Sequence, residues 1–155
     1  MIAPDPKLSC PLCVAAAQPS LWSDDRLFVI KVDDADYPGY TRVIWRDHVP
    51  EMTDLPSADR RHVMEVVEVV EEAQRAVLHP DKINLAAFGN MVPHLHWHVI
   101  PRWRDDRHFP DAVWAPPRIA AGTEPAGYAA HRQQTEALLD AYHRELVQRL
   151  SVRFG

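Results

Sequence analysis

His94, His96 and His98 stand at alternate positions in His94-Leu95-His96-Trp97-His98-Val99-Ile100, and they are the residues of this chain best equipped for chemistry. An unperturbed imidazole has a pKa of about 6.5, so near pH 7 it can act as a neutral nucleophile, a proton donor or a metal ligand. Covalent catalysis by histidine at phosphorus is chemically sound. Successive side chains of a strand point to opposite faces. On a strand the three imidazoles therefore share one face, while Leu95, Trp97 and Val99 face a core. On a helix they would scatter around the axis. Pro93 and Pro101 bracket the run, and proline belongs at a strand's start or edge, which predicts a strand from His94 to Ile100. A solvated, idle strand face accounts for one histidine far more easily than for three.

A second group of possible ligands is Cys10-Pro11-Leu12-Cys13. Two thiolates in such a turn can face one metal ion. A redox Cys-x-x-Cys would follow a strand and open a helix, and no strand signal precedes this one. Two sulfurs do not complete a tetrahedral site, so its partners must come from elsewhere in the chain.

Several elements must position these residues. Leu27 to Val32 is apolar and β-branched and reads as a buried strand; Leu21 to Asp25 before it reads as a connector. Asp33 to Gly39 is a turn closed by Pro38-Gly39, and Tyr40 to Trp45 is the returning strand, with His48 at its exit. From Ser57, an N-cap candidate with Asp59 in the first turn, Val63, Val66, Val67, Val70, Ala73 and Val77 recur at helical spacing. They predict an amphipathic helix from Ala58 to Leu78, stopped by His79-Pro80, with its glutamates as a solvated face. Valine is a poor helix former, so packing on a sheet must hold this helix. Lys82 to Phe88 is another strand. The short link Gly89 to Pro93 makes it an antiparallel neighbour of the histidine strand, and Asn84 is then a candidate hydrogen-bond donor near the histidines or a cap for local backbone. Arg102 to His108 is loop-like, and Trp114 either covers the site or packs on the surface. A helix is expected from Tyr128 to Leu150, with Leu138, Leu139, Tyr142, Leu146 and Leu150 as its apolar stripe. Met1 to Ser9 is proline-rich and reads as irregular.

The pattern His, apolar, His, apolar, His, apolar, apolar in His94 to Ile100 resembles the signature of the histidine triad (HIT) family. The likeness covers about residues 10–114 through the order of hairpin, helix and strand. It implies an α+β, HIT-like fold: an antiparallel sheet of about five strands with one packed helix, plus a C-terminal helix. Four strands come from pattern and the fifth from the resemblance. The expected organisation is a single domain over residues 1–155, with a core over 10–114 and a helical extension over 123–155.

The resemblance also implies an activity. The middle histidine of the triad, here His96, attacks the α-phosphorus of a nucleotide phosphoanhydride or phosphoramidate, and a covalent nucleotidyl-histidine is then passed to water or another acceptor. His98 hydrogen-bonds the phosphate or the departing oxygen. His96 needs its second nitrogen held by an acceptor such as a backbone carbonyl, and the phosphoryl charge needs positioned donors, for which Asn84, Asn90 and the amides of Gly89 to Val92 are candidates. Asp33, an acid leaving the first long strand, is the family's candidate for the ribose hydroxyls, and Trp114 is a candidate substrate contact. Some members bind zinc through an N-terminal Cys-x-x-Cys, a histidine leaving the hairpin and the first triad histidine. Here those positions are Cys10, Cys13, His48 and His94, a tetrahedral and therefore structural Zn²⁺ set with no open position for water. Many members carry a longer glycine-rich segment ending Gly-Gln-Ser or Gly-Gln-Thr before the triad. This chain has only Gly89-Asn90-Met91-Val92-Pro93, so those polar phosphate contacts are missing or replaced. Homodimers are the family's usual assembly.

Two rival readings fit the same residues: a non-catalytic nucleotide-binding module, and a metal-dependent hydrolase with all three histidines on one catalytic metal. The second is awkward, because positions i and i+4 of a strand lie about four times the ~3.3 Å rise apart.

The whole chain bounds the choice. Its 155 residues, 46% hydrophobic and 25% charged, suit a soluble globular domain with a real core. A net charge of −5 argues against a nucleic-acid coat. No apolar run approaches the ~20 residues of a membrane span, and Met1 to Pro6 lacks a signal-peptide pattern. A cytoplasmic nucleotide-binding protein is expected.

Overall fold

The apolar runs pair into one antiparallel sheet in the computed structural model, which describes residues 6–155. Two short helices, α1 (Pro6–Ser9) and α2 (Pro11–Ala15), lead into β1 (Trp22–Ser23), β2 (Leu27–Lys31) and β3 (Thr41–Trp45). A 3₁₀ turn at Met52–Asp54 precedes α3 (Ser57–Leu78), followed by β4 (Lys82–Ala86) and β5 (His96–Arg102). The chain ends in α4 (Tyr128–Glu136) and α5 (Leu139–Phe154). The spatial order is β1-β2-β3-β5-β4, so β5 lies between β3 and β4. This is the α+β, HIT-like architecture expected, with five strands. Among the described residues no helix is long and apolar enough to cross a membrane.

The two sheet faces have different occupants. Leu27, Val29, Val43, Trp45 and Val99 pack against the valine stripe of α3, where Val66, Val67, Val70 and Ala73 are fully buried. Valine costs at most about 0.7 kcal/mol of helix propensity relative to alanine, whereas burying its side chain contributes roughly 1.5–3 kcal/mol. Packing therefore decides the conformation of α3. Tyr142, Leu146 and Leu150 of α5 complete this core, and the Tyr142 hydroxyl meets the Thr41 hydroxyl at 2.7 Å. On the opposite face Cys10 and Leu12 pack on Phe28 and Ile44, which leaves the rest of that face for the histidines.

Several boundaries differ from expectation, each for a local reason. The histidine strand begins at His96 and continues through Pro101 to Arg102. Proline is tolerated there because the register with β3 ends at Val99, and only β4 continues beside it, with Ile83 opposite Pro101. The supposed connector before β2 contains β1, whose two residues pair with Val29 and Phe28 and are too few to show a period. Pro6–Ser9 is helical, where an irregular segment was expected; residues 1–5 lie outside the described residues. Pro56, not Ser57, is the N-cap of α3, and its carbonyl accepts from the amides of Asp59 and Arg60. The helix stops at His79, which adopts a left-handed φ of 50° ahead of Pro80.

The single C-terminal helix expected from Tyr128 is two helices, broken at Ala137 and Leu138. Each has its own partner: Arg132 of α4 ties to Asp105 and the Asp36 carbonyl, while α5 packs on α3. The Thr135 hydroxyl bonds back to the His131 carbonyl one turn earlier, an arrangement that bends helices. Leu138, placed in the apolar stripe by periodicity, sits at the break and is 39% exposed.

The end of β5 is fixed by a buried ion pair. The Arg102 guanidinium donates to both Asp106 oxygens at 2.7 and 3.0 Å, and its remaining groups reach Asn84 Oδ1 and the Asp111 carbonyl. Asp106 also accepts the amides of His108 and Phe109. Burial would raise the Asp106 pKa, but the Arg102 and amide hydrogen bonds outweigh it and hold the carboxylate below its ordinary value. Asp106→Asn leaves a buried guanidinium without its counter-ion, and the expected loss at pH 7 is about 3–5 kcal/mol. A depressed carboxylate contributes stability above its unfolded pKa of 3.8 that is lost as pH falls through the folded value. Urea midpoints of wild type and Asp106→Asn should therefore differ fully above pH 3.8 and converge only as pH falls through the lower folded value; a gap that persists unchanged in acid would refute this account.

Candidate active site and metal cluster

The register of β5 places the reactive side chains. His96 lies opposite Ile44, and His98 lies opposite Arg42 on β3 and Ala86 on β4. The two imidazoles, both largely buried, have ring centres 4.7 Å apart. His96 Nδ1 is 2.6 Å from the His94 carbonyl oxygen. A carbonyl only accepts, so Nδ1 carries the proton and donates it, which leaves the Nε2 lone pair available. Burial lowers the His96 pKa more than this hydrogen bond raises it, and the nearby Arg42 charge lowers it further. Burial, then the charges of His96 and Arg42, push His98 down to about 3. Both rings are thus neutral near pH 7.

His96 opens onto a cavity of about 220 Å³ that Glu51, Met52, Phe88, Gly89 and Trp97 help to line. Trp114, 52% exposed, stands edge-on with ring centres 5.1 Å from His98 and 4.9 Å from Phe88, so it lies beside the histidines as a partial cover.

His94 sits two residues before β5 and belongs to a different cluster. Its Nδ1 lies 3.4 Å from both the Cys10 and Cys13 sulfurs, and Cys13 Sγ is 3.4 Å from His48 Nδ1. The ligand atoms of Cys10, Cys13, His48 and His94 all fall within 4.8 Å of one another. Bonds of ~2.3 Å to sulfur and ~2.0–2.1 Å to nitrogen give a tetrahedral S···N edge of about 3.5 Å, so the spacing fits one ion at the centre. The His94 Nε2–H donates to the Trp45 carbonyl at 2.6 Å, the outer hydrogen bond that orients metal-binding histidines. Burial lowers the His94 pKa, which favours the neutral ring that a ligand must be. With Nδ1 at the sulfurs and Nε2 on a carbonyl, His94 has no ring nitrogen left for a metal shared with His96 and His98.

The remaining candidates are dispersed. Asn84 lies opposite Ile100, and its side-chain oxygen is taken by Arg102. Asn90 is exposed in the segment between β4 and β5. Asp33, just past β2, is exposed, pairs with Lys31 at 3.4 Å, and lines a separate cavity of about 480 Å³ with Tyr40, Leu139 and His143. Two residues that sequence reasoning passed over stand against His98. The Tyr40 hydroxyl hydrogen-bonds its Nδ1, and Arg42 Nε is 3.4 Å from the same atom. A signal existed: Tyr40, Arg42 and Ile44 alternate, which puts a charge on a buried strand face. Only the register of β3 against β5 says which residue that charge meets.

Comparison with known proteins agrees with this arrangement. The HIT domain family matches residues 17–105, which hold His48 and all three triad histidines, and the chain belongs to that family. The match does not reach Cys10 and Cys13. Among solved structures, a histidine triad protein of Bradyrhizobium japonicum is 26% identical with a TM-score of 0.64, covering 83% of this chain and 90% of that one. A zinc-bound histidine triad family protein of Mycobacterium smegmatis, 23% identical with a TM-score of 0.56 over 92% of this chain and 99% of that one, shares the fold. A curated relative, the AP-4-A phosphorylase of Mycobacterium tuberculosis, is 30% identical over 78 residues, which are 46% of this chain. The match spans 40% of that relative's length.

Proposed function

We propose that the protein is a nucleotidyl hydrolase or transferase acting at the α-phosphate of nucleotide phosphoanhydrides or phosphoramidates, such as dinucleoside polyphosphates and AMP conjugates. The observation that carries this reading is His96: a neutral imidazole with Nδ1–H on a carbonyl, its other nitrogen free, and a second neutral imidazole 4.7 Å away. His96 Nε2 attacks the α-phosphorus. A nitrogen–phosphorus bond forms as the bond to the leaving oxygen or nitrogen breaks, and the leaving group takes a proton from solvent or a neighbouring donor. The His94 carbonyl stays on Nδ1–H and stabilises the cationic, phosphorylated ring. Water or another acceptor then cleaves the adduct and returns His96 to its starting state. His98 donates to the phosphoryl oxygens or the departing atom. Asn90, the amides after Gly89 and the side-chain amide of Asn84 are the candidate further donors, and Trp114 is a base or cover contact. The relation to an AP-4-A phosphorylase supports testing inorganic phosphate as acceptor beside water.

The test is a panel of dinucleoside polyphosphates and nucleotide phosphoramidates, each with and without inorganic phosphate. His96→Ala should fold and lose turnover of every active substrate, because the covalent route has no other nucleophile in place. Turnover by the folded variant at the wild-type rate would sink the proposal. A variant that still binds nucleotide, beside a wild type that turns over nothing, would leave a binding module.

We further propose that Cys10, Cys13, His48 and His94 hold one structural Zn²⁺ per chain. Bound there it would supply a four-ligand cross-link with no open position for water, tying α2 to the strand that bears His96. The relation to a zinc-bound protein of the same fold supports the choice of metal. Elemental analysis should find about one zinc per wild-type chain, none in Cys10→Ser, and wild-type content in His96→Ala. Thiolates must be deprotonated to bind, so acid should release the metal. Zinc kept by Cys10→Ser and lost from His96→Ala would overturn the assignment.

A further inference from the structure

We propose that Tyr40 and Arg42 are positioning residues that fix His98 as the tautomer protonated on Nε2. The site then holds two imidazoles of opposite tautomer on one strand: a lone pair at His96 Nε2 and an N–H at His98 Nε2.

The proton inventory follows from the groups around His98 Nδ1. Arg42 stands directly across the β3–β5 ladder from His98, and its Nε lies 3.4 Å from Nδ1. A guanidinium has donors only and keeps its charge at any working pH. The Tyr40 hydroxyl, from a ring 5% exposed, hydrogen-bonds the same nitrogen. Burial outweighs the opposing Arg42 charge and leaves the Tyr40 pKa raised, so the phenol keeps its proton. The Arg42 guanidinium carbon also lies 5.6 Å from the centre of the Tyr40 ring. A phenol that keeps its proton has an O–H to donate, and among the described residues the atom it meets is His98 Nδ1. Two donors converge on His98 Nδ1, which must be the bare nitrogen. A neutral imidazole carries one N–H, so it is on Nε2.

The reverse assignment fails on the same contacts. A proton on Nδ1 would face the Arg42 Nε–H, donor against donor. It would also leave the Tyr40 O–H without an acceptor among the described hydrogen bonds. Burial and the adjacent charges keep the ring from holding both protons.

The consequence extends the proposed chemistry and rests on it. The carbonyl of His94 sets one tautomer on His96, and Tyr40 with Arg42 sets the other on His98. A nucleophile and a neutral donor then project side by side, with the Arg42 charge behind the donor to favour the developing phosphoryl oxyanions. Without the Tyr40 hydroxyl, His98 would divide between tautomers, and the fraction with bare Nε2 would meet phosphate oxygens lone pair to lone pair.

The test reads the tautomer directly and turnover separately. Long-range proton–nitrogen correlation spectra of ¹⁵N-labelled protein, with His98 assigned through His98→Gln, should show Nε2 protonated and Nδ1 bare in wild type. Tyr40→Phe removes one oxygen and should give a mixed or reversed His98 pattern while leaving the His96 pattern unchanged. On whichever panel substrate is active, kcat should fall roughly tenfold or more, in line with the loss of a partner that orients a functional histidine, with little change in KM. Arg42→Lys, which keeps the charge and leaves the Tyr40 hydroxyl in place, should retain the wild-type tautomer. Wild-type His98 protonated on Nδ1, or a folded Tyr40→Phe with the wild-type His98 pattern, overturns the proposal. If no substrate is turned over, the hydrolase reading fails, while the spectra still decide the tautomer.

Discussion

The site depends on one residue that makes three different hydrogen-bonding or ligand contacts. His94 directs Nδ1 at the two cysteine sulfurs, donates from Nε2 to the Trp45 carbonyl, and offers its own carbonyl to His96 Nδ1. It can do so because it is not part of the regular ladder. Leu95, next to it, is held from both sides, accepting from the Trp45 amide and donating to the Val49 carbonyl. That irregular step turns the His94 carbonyl toward the ring of His96. The orientation of His96 and the geometry of the four-ligand cluster are therefore one constraint: a shift that misplaced His94 for the cluster would also move the group that holds His96.

Burial and charge then divide the labour at the two triad histidines that remain. Both are largely buried on the sheet face away from α3, with Trp114 edge-on beside His98. Burial disfavours the imidazolium form, and Arg42 adds a fixed positive charge that disfavours it further. For the proposed chemistry on an anionic phosphate, this arrangement would put neutral, directional groups at the reacting atoms and the permanent charge one step behind. Two imidazolium rings at 4.7 Å would repel each other and would offer no nucleophile. The buried Arg102–Asp106 pair carries out the matching structural task at the far end of β5, anchoring the loop that brings Trp114 back over the histidines.

How much of this was legible in the sequence follows from the range of each interaction. The alternation around His96, the valine period of α3 and the turn at Pro38-Gly39 are local patterns, and they showed the long helix, the hairpin and the face that the triad shares, while the fold class came from family likeness. The Gly39 turn even has its steric reason in the structure, since a side chain there would strike Leu78 and its φ is +86°. What pattern could not give was anything set by pairing. β1 is too short to show a period, the break between α4 and α5 reflects two different packing partners, and Arg42 matters only because the β3–β5 register sets it opposite His98. The four cluster residues were assembled from family likeness, not spacing, since 84 positions separate Cys10 from His94.

The same register explains why an alternating triad yields three unlike histidines. Strand geometry alone would give three equivalent side chains on one face. Ending the ladder between His94 and His96 removes that equivalence at one end, and the charged partner across from His98 removes it at the other. His96 is left between them, with a backbone carbonyl on one nitrogen and its side chain lining a cavity. The alternation thus sets the common face, and the neighbours of each ring, not the histidines themselves, assign each its chemical role.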